Sequence, residues 1–143
     1  MRKIKNIALS ILPLITGGML YLGYRSPELI MFRWANFLGL SNIVSSWREF
    51  CLQHPLPEWF YYALPDGLWL LSYILLVNLT WNELTWKSRI WVYALPTVAI
   101  ISELMQILIP MLGTFDIIDL TCYIGAIILF ELKNITQWKR KGL

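Results

Sequence analysis

Five polar side chains in an otherwise oily chain could do chemistry: Asp66, Glu103, Gln106, Asp116 and Asp119. Glu103 and Gln106 are three residues apart, as are Asp116 and Asp119, so each pair shares one face if its segment is helical. The stretch between the pairs, IPMLGT, holds Pro110 and Gly113 and reads as a tight turn. Two helices joined that way are antiparallel neighbours, and both polar pairs then fall at one end of one hairpin. Asp66 opens an earlier apolar segment at that same end. Together these groups can line one pocket.

Carboxylates in such a pocket have three uses. They can hold a cation or ammonium group, ligate a hard divalent metal, or exchange protons. None of the signatures of a nucleophile elbow, a phosphate-binding loop or a zinc protease is present. Ser72 and Thr121 are isolated hydroxyls, and His54, between Gln53 and Pro55, reads as a surface loop residue. No residue is therefore assigned a catalytic or metal-ligating role, and no cofactor is expected. Capping explains part of the set more simply. Asp116 suits the start of a helix, Asp119 its positive end, and Asp66 before Gly67-Leu68-Trp69 has the look of an N-cap. Glu103 resists that explanation. It lies about six residues, roughly 9 Å, inside its segment, where an acid is costly and normally faces a bundle interior or a wet cavity. Arg25, Arg33 and Arg48 are the nearby cations, with Arg33 or Arg48 expected to offer the counter-charge.

The elements that must position these groups follow from composition. Of 143 residues, 57% are hydrophobic and only 15% charged; soluble domains run near 25% charged. Eight Trp and seven Tyr suit the bilayer interface. One all-α membrane domain is expected over 1–143, a four-helix bundle with spans near 6–24, 64–81, 90–109 and 115–132. Each fits the length needed to cross hydrocarbon. The first follows MRKIK but is longer than a typical signal-peptide core and lacks a clear cleavage motif, so it reads as a retained anchor. Residues 25–63 hold two apolar-periodic pieces, with Ile30, Trp34 and Phe37 in one and Ile43, Trp47, Phe50 and Cys51 in the other. They read as two short interfacial helices, the second capped by Ser41 or Asn42. Pro55, Pro57 and Pro65 then block regular helix as the chain turns back.

Basic residues orient the bundle. Arg2, Lys3, Lys5, Lys87, Arg89, Lys133, Lys139, Arg140 and Lys141 fall on one side, leaving Arg25, Arg33 and Arg48 on the other. By the positive-inside rule both termini are cytoplasmic and the acidic end faces out. The tail, with Trp138 among basic residues, suits anionic lipid. Glu131 reads as an interfacial residue beside Lys133. The net charge of +3 is spread over loops rather than one basic face, which argues against nucleic-acid binding. Cys51 and Cys122 form no zinc pattern and read as free thiols, with a disulfide conceivable only at an oxidising face.

Taken together, Asp66 opening one span, Glu103-x-x-Gln106 late in the next and TFDIIDL opening the last resemble the VanZ-like family of small bacterial membrane proteins, over residues 64–132. The resemblance implies a multi-pass protein of the bacterial cytoplasmic membrane, associated with the cell envelope and glycopeptide resistance. It supplies no reaction. The chain departs from the family pattern at Gly67 (usually Lys), Leu70 (usually His), Tyr123 (usually Asn) and around Gly113 (usually Arg). The expected function is an outward-facing acidic pocket recognising a lipid headgroup, a wall precursor or an amphiphilic antibiotic, with the bilayer, such a ligand, and a protein partner or second copy as partners. Two rival classes stay open: a structural subunit of a larger membrane complex, and a carboxylate- and metal-dependent lipid-phosphate hydrolase.

Overall fold

The computed structural model describes the backbone of residues 2–81, 85–109, 111 and 113–141, and within these the side chains of residues 6–135. All regular structure there is helical: α1 (Arg2–Tyr24), α2 (Ile30–Phe37), α3 (Ser41–Gln53), α4 (Glu58–Tyr62), α5 (Leu64–Thr80), α6 (Trp86–Leu108) and α7 (Ile117–Lys141). Three stretches are long and apolar enough to cross a membrane: Asn6–Tyr24, Glu58–Thr80 and Trp86–Leu108. The expected fourth span falls in α7, which carries Asp119, Glu131 and Lys133 along its length and is not among those three.

α5 is the central helix. It packs against α1, α4, α6 and α7, and Leu70, Ile74 and Leu75 on it meet Val92 of α6 and Ala126 and Phe130 of α7 in the core. The outer faces are apolar too. Leu12, Val98, Leu108 and Leu129 are all more than half exposed, an apolar exterior of the kind that helices crossing a membrane carry.

Small residues and side-chain donors set the helix spacing. A Cβ at Gly17 would lie 2.6 Å from Trp69 Nε1, and one at Gly67 would lie 2.8 Å from Cys122 Cβ. These glycines let α1 and α7 approach α5 closely. Along α1, Ser72 Oγ donates to the Ser10 carbonyl at 2.7 Å, Trp69 Nε1 to Leu14 at 3.3 Å and Trp47 Nε1 to Met19 at 2.9 Å. Ser72, isolated in the sequence, is thus a helix-to-helix bond.

The segment 25–63 departs from expectation in two places, the cap of α3 and the proline-rich return. Ser41 does not cap α3; the N-cap is Leu40, with no side-chain bond. The Ser41 hydroxyl instead donates to Asn36 Oδ1 at 2.8 Å, across a turn that Gly39 makes with a φ of 72°. On α2 the row Ile30, Trp34 and Phe37 faces outward, and Phe32 and Ala35 are the buried pair. Most consequentially, the proline-rich return is helical. Pro57 stands before α4, and α4 runs into α5 through Ala63, which keeps right-handed helical angles. Ala63 N–H reaches Trp59 and Gly67 N–H reaches Ala63. Pro65 falls at the junction, in the first turn of α5, where its missing N–H costs little.

Candidate functional site

The junction of α4 and α5 at Ala63 decides the position of Asp66. Its expected role as an N-cap does not hold, because the cap position of α5 is Ala63 and makes no side-chain bond. Asp66 is in the first turn of α5, just beyond the turn at Ala63 where the ladder of α4 gives way to that of α5. It lines an open groove of about 340 Å³ with Trp69, Leu70, Leu95, Ala99 and Tyr123. Helical geometry explains the wall. Asp66, Trp69 and Leu70 stand at i, i+3 and i+4 on α5; Leu95 and Ala99 are four apart on α6; Tyr123 comes from α7. Among the described residues, the Asp66 carboxylate accepts no hydrogen bond and has no Lys or Arg nitrogen within ion-pair distance.

Glu103 has the opposite fate. It is 5% exposed, but its carboxylate is fully occupied. Oε1 accepts the Asp116 backbone N–H at 2.6 Å, and Oε2 accepts Gln106 Nε2 at 3.1 Å. Asp116 in turn accepts the Ile118 N–H at 2.7 Å through Oδ1, an N-cap bond as its position predicts. Gln106 also packs on Gly113, whose φ of 139° suits glycine and where an added Cβ would sit 3.1 Å from Gln106 Oε1. Glu103, Gln106 and Asp116 are therefore a clasp that closes the α6–α7 hairpin. Pro110, expected in the same turn, lies outside the described residues.

Asp119, half-buried on α7, accepts no hydrogen bond among the described residues. Asp66, Glu103 and Asp116 all lie close enough for their charges to act on it, so the acids do gather at one end of the bundle. They do not form a ligand set, however: no three Asp, Glu, His or Cys side chains among the described residues come together around a point a metal ion could occupy.

The cation facing them is Arg25. Its charge acts on both Asp66 and Asp119. It stands over the rings of Tyr62 at 4.5 Å and Tyr21 at 5.3 Å, and its Nε is buried without a hydrogen-bond partner among the described residues. Arg48, named from the sequence as a counter-charge, instead donates to the Arg25 carbonyl and lies over Phe32. Arg33 is exposed on α2.

Trp69 and Tyr123 were missed as pocket residues. Their signal was present, since Trp69 follows Asp66 by three and Tyr123 follows Asp119 by four. His54 is an exposed residue, as its neighbours suggest; its ring bonds the Phe50 carbonyl and its own carbonyl accepts Tyr24. Glu131 is not a free interfacial acid, because the Tyr93 hydroxyl donates to it across α6 and α7. Both cysteines are free, Cys51 buried on α3 and Cys122 half-buried on α7.

Among the described residues, fold and site thus define an all-helical protein with three helices fit to cross a membrane and an open groove among α5, α6 and α7 with Asp66 in its wall. No known protein family, curated protein or solved structure matches the chain.

Proposed function

We propose that this is a VanZ-like protein of the bacterial cell envelope, a four-span bundle with both termini cytoplasmic, which uses the Asp66 groove to recognise an amphiphile from the outer leaflet. The observation that carries the reading is Asp66 itself. An acid in the first turn of α5, within the Glu58–Thr80 stretch fit to cross a membrane, which lines a groove and accepts no hydrogen bond, is costly to keep without a use. Capping no longer accounts for it, whereas it does account for Asp116, and the hairpin clasp accounts for Glu103.

The departures from the family pattern support a pocket rather than a passive scaffold. Leu70 and Tyr123 line the groove with Asp66, and Gly67 brings α7 against α5 beside it. Three sequence differences thus fall in one place and make its wall more apolar and aromatic. α2 and α3 lie in the outer interface in this reading, with the outward row Ile30, Trp34 and Phe37 dipping into lipid. The charge of Arg25 acts on Asp66 at the same end.

The test is purification from native membranes in mild detergent, followed by mass spectrometry of retained lipids, for wild type and Asp66→Asn. A defined lipid held by the wild type and lost from a folded Asp66→Asn protein supports the reading. Equal lipid profiles for the two proteins would count against it.

A further inference from the structure

We infer that the group this groove receives is a substituted ammonium, the positively charged and methyl-clad head of a lipid or a free choline-like ion. The inference rests on the pocket reading above and narrows it to a chemical class.

The wall selects by elimination. An anion would meet Asp66 in the wall and Asp119 close by, two negative charges against the single positive charge of Arg25, so like charge opposes it. A small hard metal ion needs about six oxygen ligands, and Asp66 is the single carboxylate among the lining residues. A sugar needs many donors and acceptors, whereas Leu70, Leu95 and Ala99 offer none from their side chains. An alkylammonium has one charge and an apolar surface. Asp66 supplies the counter-charge, the Trp69 and Tyr123 side chains supply aromatic surface for a cation, and the three aliphatic side chains meet the methyl groups. An open groove of about 340 Å³ has room for such a head and leaves a way out for the chain attached to it. Arg25 does not satisfy Asp66 in its place, since no Arg nitrogen comes within ion-pair distance of that carboxylate.

The experiment is calorimetric titration of the full-length protein in a neutral maltoside detergent with three probes: choline, its uncharged isostere 3,3-dimethylbutanol, and dodecyltrimethylammonium. At least one ammonium probe is expected to bind, with Asp66→Asn weakening it by more than about tenfold, as for loss of one member of a buried charge pair. The isostere is expected not to bind measurably. Ala99→Leu, which fills the groove and leaves the charge in place, is expected to weaken the same probe. Thermal unfolding of both variants guards against misfolding as the cause.

Binding of the dodecyl compound alone assigns a lipid source, and binding of choline assigns a soluble one. Equal binding of the isostere, or unchanged ammonium affinity in Asp66→Asn, overturns the inference. So does silence of both ammonium probes; if the wild type then still retains a lipid in an Asp66-dependent way, the pocket stands and only its ligand class is wrong. If that retention is also absent, both readings fail.

Discussion

The carboxylate of Glu103 on α6 accepts the backbone N–H of Asp116 at the start of α7, at 2.6 Å. One buried side chain thereby fixes where the second helix of the hairpin begins. A hydrogen bond to a charged group is worth about 1.5–3 kcal/mol, and leaving the N–H unpaired in an apolar site adds a penalty. Glu103→Leu is therefore expected to lower the melting temperature in detergent and the amount of protein in membranes. Glu103→Gln keeps an acceptor for Asp116 and is expected to sit between the two. A Glu103→Leu protein with wild-type stability would show the clasp to be dispensable.

Gly67 is the point where α5 meets α7. Glycine inside a helix costs about 1 kcal/mol relative to alanine, so Gly67→Ala would ordinarily stabilise. Here the new Cβ would stand 2.8 Å from Cys122 Cβ and 3.1 Å from its carbonyl oxygen, and overpacking of this kind costs about 1–3 kcal/mol. The clash is expected to win, giving a lower melting temperature. Gly67→Lys should be worse. Removing Cys122 Cβ with Cys122→Gly should rescue part of the Gly67→Ala loss, read as a positive coupling in a double-mutant cycle.

Cys51 is 2% exposed, wedged between α3 and α1, where a Cβ on Gly23 would lie 2.6 Å from its sulfur. Burial pushes its thiol up from the ordinary 9.0, although the Tyr24 hydroxyl and the Arg48 charge oppose this. Thiolate is the reactive form, so maleimide labelling of Cys51 at neutral pH should be slower than in denatured protein by more than about tenfold. The sign for stability follows from linkage. Below the unfolded thiol's pKa, both states keep the proton and nothing is lost. As pH rises above about 9.0 the unfolded chain releases its proton first, so this group's contribution declines with pH. Cys51→Ala should flatten that decline in a stability titration.

Topology separates three crossing helices from four. With three, the two ends of the chain lie on opposite sides of the membrane; with α7 crossing as well, they lie on the same side. Reporter fusions at each end are expected to report the cytoplasm for both. A C-terminal reporter active only outside would make α7 a surface helix and would place its acids differently.

Composition and periodicity alone determined the helical class, the apolar segments near 6–24 and 90–109, and the gathering of Asp66, Glu103, Asp116 and Asp119 at one end. Those features are local. Apolar length makes a spanning helix, a short turn makes neighbours antiparallel, and an aspartate two residues before a free N–H can cap it. What each acid does was not local. Glu103 stood out in the sequence because of its depth, yet its partner is a backbone N–H thirteen residues away that only the closed hairpin brings within reach. Asp66 looked like a cap because three prolines appeared to break the chain before it. Proline forbids helix only in the interior, and here Pro57 falls before α4 and Pro65 in the first turn of α5, so both segments are helical and Asp66 falls just inside α5 rather than at its cap. Arg25, rather than Arg33 or Arg48, faces the acids because the packing of α1 against α5 sets which cation the cluster meets. Tertiary packing decided which acid is spent on holding the fold and which is left facing a groove.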